Sequence, residues 1–553
     1  MSPTGSAGLC PSCGFVPSYR ENASVSTLLR TNATPPHPQQ LETAISAASI
    51  ELGRYDDAIQ HLHRRAQSLQ TERDELARHV AAYRSVFSPI RRLPDELLLL
   101  ILEIVVSEDQ PRHRSSHGNW QQSMALLAGA HIHRLAGVCP RWHGIIMNAP
   151  SVWDTIAFNT LGLYRRKSSV ERCSSELQTV LSRSAQRPLT IQICNMDESI
   201  DACEHRYMAT LLQLVAQHSE RWSDVSLELY FMADLPASLM RSWRNCVPRL
   251  QSLTLYGSTI CKTEWSTFEG FRNAPALRSL SFRGDLNDLP TQIPWDQITS
   301  LEYTPAFWDF GLRDCLLLAP PLQALAPGAL FKVFAVLRNM EGSDGPIDPI
   351  QSQIGTLDLF INVDDEIPRA RRYPVSRILN FFTTPRLTEL VLLTRHGQLD
   401  DADLTGFAVR SGLGASLTQL SISAIISDTT LLTLLPILPS LQGLAVADRL
   451  THAVVTDRLL EGLTAVQGEG DCVLAPQLRR AKFVTNMEFQ MPLLYAFVDQ
   501  RTASRPQGVF TLTISSKSIR WMMKENLFAE LEERYKDSER VEIDITKYDR
   551  LAI

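Results

Sequence analysis

The feature that most constrains this chain is a six-residue spacing that returns again and again in its C-terminal part. It reads Leu250-Gln-Ser-Leu253-Thr-Leu255, then Leu277-Arg-Ser-Leu280-Ser-Phe282 and Ile298-Thr-Ser-Leu301-Glu-Tyr303. Later copies are anchored at Ile354, Leu387, Leu417, Leu441 and, more weakly, Leu478, and Trp222-Ser-Asp-Val225-Ser-Leu227 precedes them all. In a strand, residues two apart share a face. The second and third apolar anchors of each copy therefore point one way, and the residue between them points the other. One short strand cannot bury such a face alone, so neighbouring copies must stack to share a core, with their strands parallel. Five copies carry a proline two residues before the first anchor: Pro248, Pro275, Pro385, Pro439 and Pro476. That position suits a loop entering a strand and not a central strand interior.

The spacing L-x-x-L-x-L is the leucine-rich-repeat signature. It predicts an irregular solenoid with a parallel sheet over residues 187–553, because the interval between copies runs from about 20 to more than 30 residues. Leu189-Thr-Ile191-Gln-Ile193 reads as an early strand. Val509 to Ile514 reads as a late strand, Trp521 to Tyr535 as a helix and Val541 to Ile545 as a closing strand, together a terminal cap. The competing account is an ordinary α/β domain with parallel strands. The outward positions are mixed in charge. They include Thr254, Tyr256, Ser281, Arg283, Glu302, Asp358, Glu389 and Ser421, the candidate contacts for a protein partner, and the bland alternative is that most are merely solvated. Nucleic acid would require a basic excess, and the chain carries a net charge of -6.

At 553 residues, with 44% hydrophobic and 21% charged residues, the chain has the composition of a globular protein of several units. The longest aliphatic run, Leu97 to Leu102 with Ile104 to Val106 beyond it, is about half of the ~20 residues a membrane span needs. No secretory signal pattern is present, and ten scattered cysteines make no disulfide framework, so an intracellular, reducing compartment is expected. Cys10 and Cys13 have metal-ligand spacing, but no second pair follows, so no metal site is expected. There is no phosphate loop, dinucleotide fingerprint, H-E-x-x-H or G-x-S-x-G. The runs Asp364-Asp365-Glu366 and Asp400-Asp401-Ala402-Asp403 read as solvated loop faces. No cofactor and no enzymatic activity are expected.

Residues 1–40 are rich in Ser, Thr, Pro, Gly and Ala and read as a disordered tail. Over 41–88 apolar residues recur at heptad spacing, from Ile45, Ala48 and Leu52 through Leu69 and Leu76 to Tyr83 and Phe87, with Arg73 alone breaking the series. Two readings stand for this helix: a homodimer or partner seam, or a stripe packed on its own C-terminal neighbours. Ser88-Pro89 ends it, and a second helix follows Pro94, opened by Asp95 and Glu96. Its residues Leu97 to Leu102 and Ile104 to Val106 are apolar on every side. Such a helix must be covered on more than one side. A polar stretch, Ser107 to Ser123, a helical segment over about 124–138 and then Val138-Cys139-Pro140-Arg141-Trp142, Pro150 and Trp153 complete the unit.

Leu93-Pro94-Asp95-Glu96-Leu97, the aliphatic helix, the Val138-Cys-x-x-Trp142 run and the closing Pro150-x-x-Trp153 resemble an F-box over residues 89–155. With its heptad helix and repeats, the chain is similar to the large F-box-like families of mushroom-forming fungi. The loop Ser107–Ser123 is longer than usual for that family. The resemblance implies a substrate adaptor of a Skp–cullin–F-box ubiquitin ligase. Leu93, Pro94, Leu97, Ile101, Val138 and Trp142 would dock on, or support docking on, the Skp-type adaptor, and the repeats would hold a protein substrate. The alternative is an interaction scaffold outside any ligase, dimerised through 41–88. The expected class is thus α/β: a coiled-coil-like helix and a small helical F-box followed by an irregular leucine-rich-repeat solenoid.

Overall fold

The computed structural model describes residues 29–30, 37–108, 129–159, 170–195, 202–229, 247–256, 270–289, 292–305, 312–337, 348–363, 375–449, 452–467, 471–503, 508–516, 525–536 and 538–546. Cys10, Cys13, the run Asp364 to Glu366, the loop beyond Glu108 and the residues 124–128 and 517–524 lie outside them. The chain separates into two units, Met1–Leu98 and Leu99–Ile553.

The first unit is dominated by helix α1, Pro38–Val86, with proline at its first position, where the missing amide donor costs nothing. It ends where predicted: the Phe87 and Ser88 amides fold back on the carbonyls of Arg84 and Ser85. Every residue from Ile59 to Phe87 is exposed, the apolar stripe included. Packing of this part of the stripe on the chain's own neighbours is therefore not seen among the described residues. Helix α2, Asp95–Glu108, begins after Pro94 and crosses the boundary between the units.

In the second unit, helices α3, Gly129–Ala136, and α4, Pro140–Asn148, precede a sheet of 14 parallel strands arranged in chain order. The strands are β1 Thr155–Asn159, β2 Leu189–Asn195, β3 Trp222–Leu229, β4 Ser252–Tyr256, β5 Ser279–Gly284, β6 Ser300–Pro305 and β7 Leu330–Leu337. They continue as β8 Thr356–Val363, β9 Glu389–Gln398, β10 Gln419–Ile425, β11 Gly443–Ala447, β12 Arg480–Thr485, β13 Phe510–Ser516 and β14 Val541–Thr546. Each pairs in register with the next, so that Leu253 meets Leu280, Leu280 meets Leu301, and Leu390 meets Leu420. The anchors Leu253, Leu280, Leu390 and Leu420 are buried, while Thr254, Ser281, Val391 and Ser421 are half-buried on the opposite face. Burial thus follows the predicted parity. Leu280→Ala should cost about 2–5 kcal/mol in a denaturant unfolding experiment. Ser281→Ala, on the other face, should shift stability by less than about 0.5 kcal/mol.

The five prolines act through turns. Pro248, Pro275, Pro385, Pro439 and Pro476 each occupy the second position of a four-residue turn closed from the anchor amide. The closing bonds run from Leu250, Leu277, Leu387, Leu441 and Leu478 to the carbonyls of Val247, Ala274, Thr384, Leu438 and Ala475, over 3.0–3.2 Å. Proline pre-sets the backbone angle that position requires. The shortest interval, between Leu277 and Ile298, holds, among its described residues, two 3-10 turns, Leu286–Asp288 and Trp295–Gln297. Other intervals hold full helices, such as Leu312–Ala324, Asp401–Arg410 and Met491–Ala503.

Two strands escaped the spacing. The sheet starts at Thr155, ahead of residue 187, because Trp153-x-x-Ile156-x-Phe158 is itself a copy whose first anchor is tryptophan. Trp153 and Trp222 share one local geometry: their indole N–H groups donate to the carbonyls seven residues earlier, Ile146 at 2.9 Å and Val215 at 3.3 Å. Strand β7 fills the long gap between Ile298 and Ile354, with Phe331 and Val333 buried. Its first anchor would fall on Gly328, which has a φ of 80°. A side chain at the stacked Gly355 would start 2.8 Å from the Gly328 carbonyl oxygen. The space beside Gly328 is open, so it is the left-handed backbone there, not crowding, that disfavours a leucine at the first anchor. At the far end, β14 extends the same parallel sheet as its last described strand, and Ile543 and Ile545 there are half-buried.

The run Asp400 to Asp403 is solvated at Asp400 and Asp401, as expected, but it opens a helix and is not a loop. The Asp400 carboxylate caps the helix Asp401–Arg410, accepting from the Ala402 amide at 2.9 Å. Asp403 accepts from Ser376 Oγ at 2.9 Å and Asn380 Nδ2 at 2.6 Å. An aspartate at a helix N-terminus satisfies an otherwise orphaned amide.

Candidate functional site

Two surfaces carry the sequence-predicted site residues. The first is helix α2. Leu98, Leu102 and Val106 are buried, while Leu97, Leu100, Ile101 and Ile104 are exposed. Residues three and four apart share a helix face, so the buried and exposed sets are two stripes of one cylinder. Leu97 is 49% and Ile101 39% exposed, and they lie one turn apart on the outer stripe. Pro94 is exposed just ahead of the helix and Leu93 is half-buried. Glu103, on the inner side, accepts a hydrogen bond from Ser151 Oγ.

Val138 and Trp142 lie around the turn between α3 and α4. Val138 is 59% exposed and Trp142 is half-buried. Cys139 precedes α4 in extended geometry and its Sγ accepts from the Trp142 amide at 3.5 Å, while Pro140 takes the first helical position. The Val-Cys-Pro-Arg-Trp run is thus a helix start. Trp153 below it is fully buried, with the edge of His133 at 5.8 Å and the Arg183 guanidinium 4.8 Å from its ring.

The second surface is the outward face of the sheet. Its central row runs, strand by strand, through Gln192, Ser226, Thr254, Ser281, Glu302, Lys332, Asp358, Val391 and Ser421. The row two residues on brings together Tyr256, Arg283 and Thr304 at one end, and Phe334, Phe360 and Leu393 further along. Of the predicted contacts, Glu389 is exposed and Thr254, Ser281, Arg283, Glu302, Asp358 and Ser421 are half-buried. Tyr256 requires correction: it lies on the outward face but is only 7% exposed, with the Arg283 guanidinium 5.3 Å from its ring. Parallel strands stand about 4.8 Å apart, so large side chains in adjacent rows cover one another.

The centre of this face is an assembly the sequence did not reveal. Phe334 and Phe360 are half-buried with ring centroids 5.5 Å apart. Lys332 Nζ lies 4.6 Å from the Phe334 centroid and 3.5 Å from Asp358 Oδ2. Asp358 Oδ1 is buried and accepts no hydrogen bond. Burial raises the Asp358 pKa from its ordinary value, and the neighbouring Lys332 only partly offsets this. Lys332 and Phe334 went unseen because β7 lacks a leucine at its first anchor. The available signal was the alternation of Phe331, Val333 and Ala335 inside an over-long interval.

A raised folded-state pKa means that the native protein binds the Asp358 proton more tightly than the unfolded chain. The associated stability is present below pH about 3.8 and is lost as pH rises through the folded value. Asp358→Asn should therefore be more stable than the parent at neutral pH, and the two thermal midpoints should converge on acidification. A difference that is constant across pH would show that the carboxylate is not strained by burial.

No protein-family model matches this chain, and no curated protein does. Among the described residues no group of three or more His, Cys, Asp or Glu could hold a metal ion, and no helix is long and apolar enough to cross a membrane. Cys315 and Tyr303 are pushed far up in pKa, first by burial and then by the Asp314 charge, and Tyr303 donates to Asp314 at 2.8 Å. Such groups stay protonated at neutral pH and serve packing.

Proposed function

We propose that this chain is an F-box-type adaptor with C-terminal leucine-rich repeats. Helix α2 and the Val138–Trp142 turn bind a Skp-type adaptor of a cullin ligase, and the outward face of the sheet holds a protein substrate for ubiquitin transfer. The chain does no chemistry of its own. The observation that carries this reading is the split of α2. Four large aliphatic residues stand exposed on a short helix whose other side is fully buried. A helix of this kind is stable against its own unit and still presents a partner surface. The order of motifs around it, Leu93-Pro94 before and Val138-Cys-x-x-Trp142 after, supports the same partner.

Lys332, Phe334, Asp358 and Phe360 are the centre of the substrate face. An aromatic pair beside a cation and an incompletely bonded carboxylate offers the apolar anchor and polar specificity that interfaces concentrate in a few residues. The test is stoichiometric co-purification of the intact chain with a purified Skp-type adaptor, followed by assembly with the cullin. A chain that stays apart from the adaptor at micromolar concentrations is no ligase subunit. The second reading, a scaffold outside any ligase, is favoured by the exposed stripe of α1.

A further inference from the structure

Among the described residues nothing covers helix α1 from Ile59 to Phe87, yet it keeps an apolar residue at nearly every third or fourth position. A helix draws most of its stability from packing an amphipathic face, so this stripe needs an occupant. The seam itself says which one. Ile45, Leu52, Ile59, Ala66, Arg73 and Val80 form one heptad line, and Ala48, Tyr55, Leu62, Leu69, Leu76 and Tyr83 the other.

We infer that α1 pairs with α1 of a second copy, antiparallel and centred near Arg64. In that register the two lines face each other throughout. Leu52 meets Leu76, Ile59 meets Leu69, Ile45 meets Tyr83, and the small Ala66 meets Leu62. The one polar seam residue, Arg73, falls opposite Tyr55 of the second copy and not opposite its own counterpart. Glu42 flanks Arg84 across the seam. The cost is Arg65 beside its own copy at the centre, on long side chains that reach apart into water.

A parallel pair is worse on each count. It sets Arg73 against Arg73 in the seam and His79 beside Arg84. Like charges at flanking positions select against a partner arrangement. Sliding the antiparallel pair by one heptad puts Arg73 on Leu62 or Ala48 and leaves one end of the stripe unpaired. The pairing is independent of the adaptor reading, because it uses no residue beyond Phe87.

Sedimentation equilibrium of the full chain should give twice the 62.0 kDa monomer mass, and Leu62→Glu with Leu69→Glu should return it to the monomer. Both residues are exposed in the single chain, so the variant keeps its sheet by circular dichroism. A wild-type monomer throughout a concentration series overturns the inference. A photo-crosslinking phenylalanine analogue at Tyr83 should attach to the second copy around Ile45. Attachment around Tyr83 or Leu52 instead overturns the orientation or the register. Reversing one charge, Glu42→Arg, should weaken the dimer a few-fold. Adding Arg84→Glu should restore it, which a parallel dimer would not show.

Discussion

If the proposed docking on α2 holds, Leu97→Asp combined with Ile101→Asp should abolish capture of a purified Skp-type adaptor while the chain stays folded. Both side chains lie on the outer stripe of α2, and the helix is held by Leu98, Leu102 and Val106 on the inner one. Substitutions on an exposed face shift stability by about 0.5 kcal/mol or less. In a docked interface, each aspartate becomes an unpaired buried charge that costs several kcal/mol. Since about 1.4 kcal/mol is a factor of ten in affinity, the double variant should bind at least ~1,000-fold more weakly. The control is Leu98→Asp, which should unfold the helical unit instead. A folded double variant that still co-purifies with the adaptor would remove the docking assignment and leave the scaffold reading in its place.

Trp153→Ala should lower stability by about 3–5 kcal/mol, the range for truncating a large buried aromatic. The indole is fully buried, donates to the Ile146 carbonyl at 2.9 Å, and lies under the Arg183 guanidinium. It closes helix α4 and also anchors the first strand, so its loss opens a cavity where the helices meet the sheet. Trp153→Phe keeps most of the volume and loses only the donor, leaving one carbonyl short of a bond. It should cost about 1–3 kcal/mol. Denaturant unfolding followed by tryptophan-independent circular dichroism measures both. If the two variants were equally mild, the ring would be a surface lid and not the shared anchor.

Where the sequence repeats, it is explicit about structure. A leucine three before and a leucine two after another leucine leave one parity for burial, and proline two residues ahead of the copy leaves one turn. The strands β4 to β6 and β8 to β12 follow from those residues alone. Legibility stops where backbone contacts replace the pattern. Gly328 holds a left-handed backbone that a leucine rarely adopts, so β7 carries no first leucine, and Lys332 and Phe334 were hidden with it. Trp153 stands in for leucine at the other missed strand. The Asp400 run misled because an acidic loop and a capped helix start have the same composition.

Helix α2 shows the division most plainly. Its aliphatic run already requires more than one covering surface, because apolar residues, interrupted only by Glu103, surround its circumference. Which residues face inward depends on the angle at which α2 lies on its unit, and that is set by packing partners far along the chain. The same holds for the sheet face. The alternation of side chains says that Thr254, Tyr256 and Asp358 point outward, and they do. Whether an outward residue is accessible depends on the size of its neighbours in the next strands. Arg283 covers Tyr256, and Lys332 draws Asp358 into a half-buried pair. Period and parity are properties of a single strand or helix, and the sequence by itself determines them. Exposure and charge environment are properties of three strands at once, and only the stacked sheet decides those.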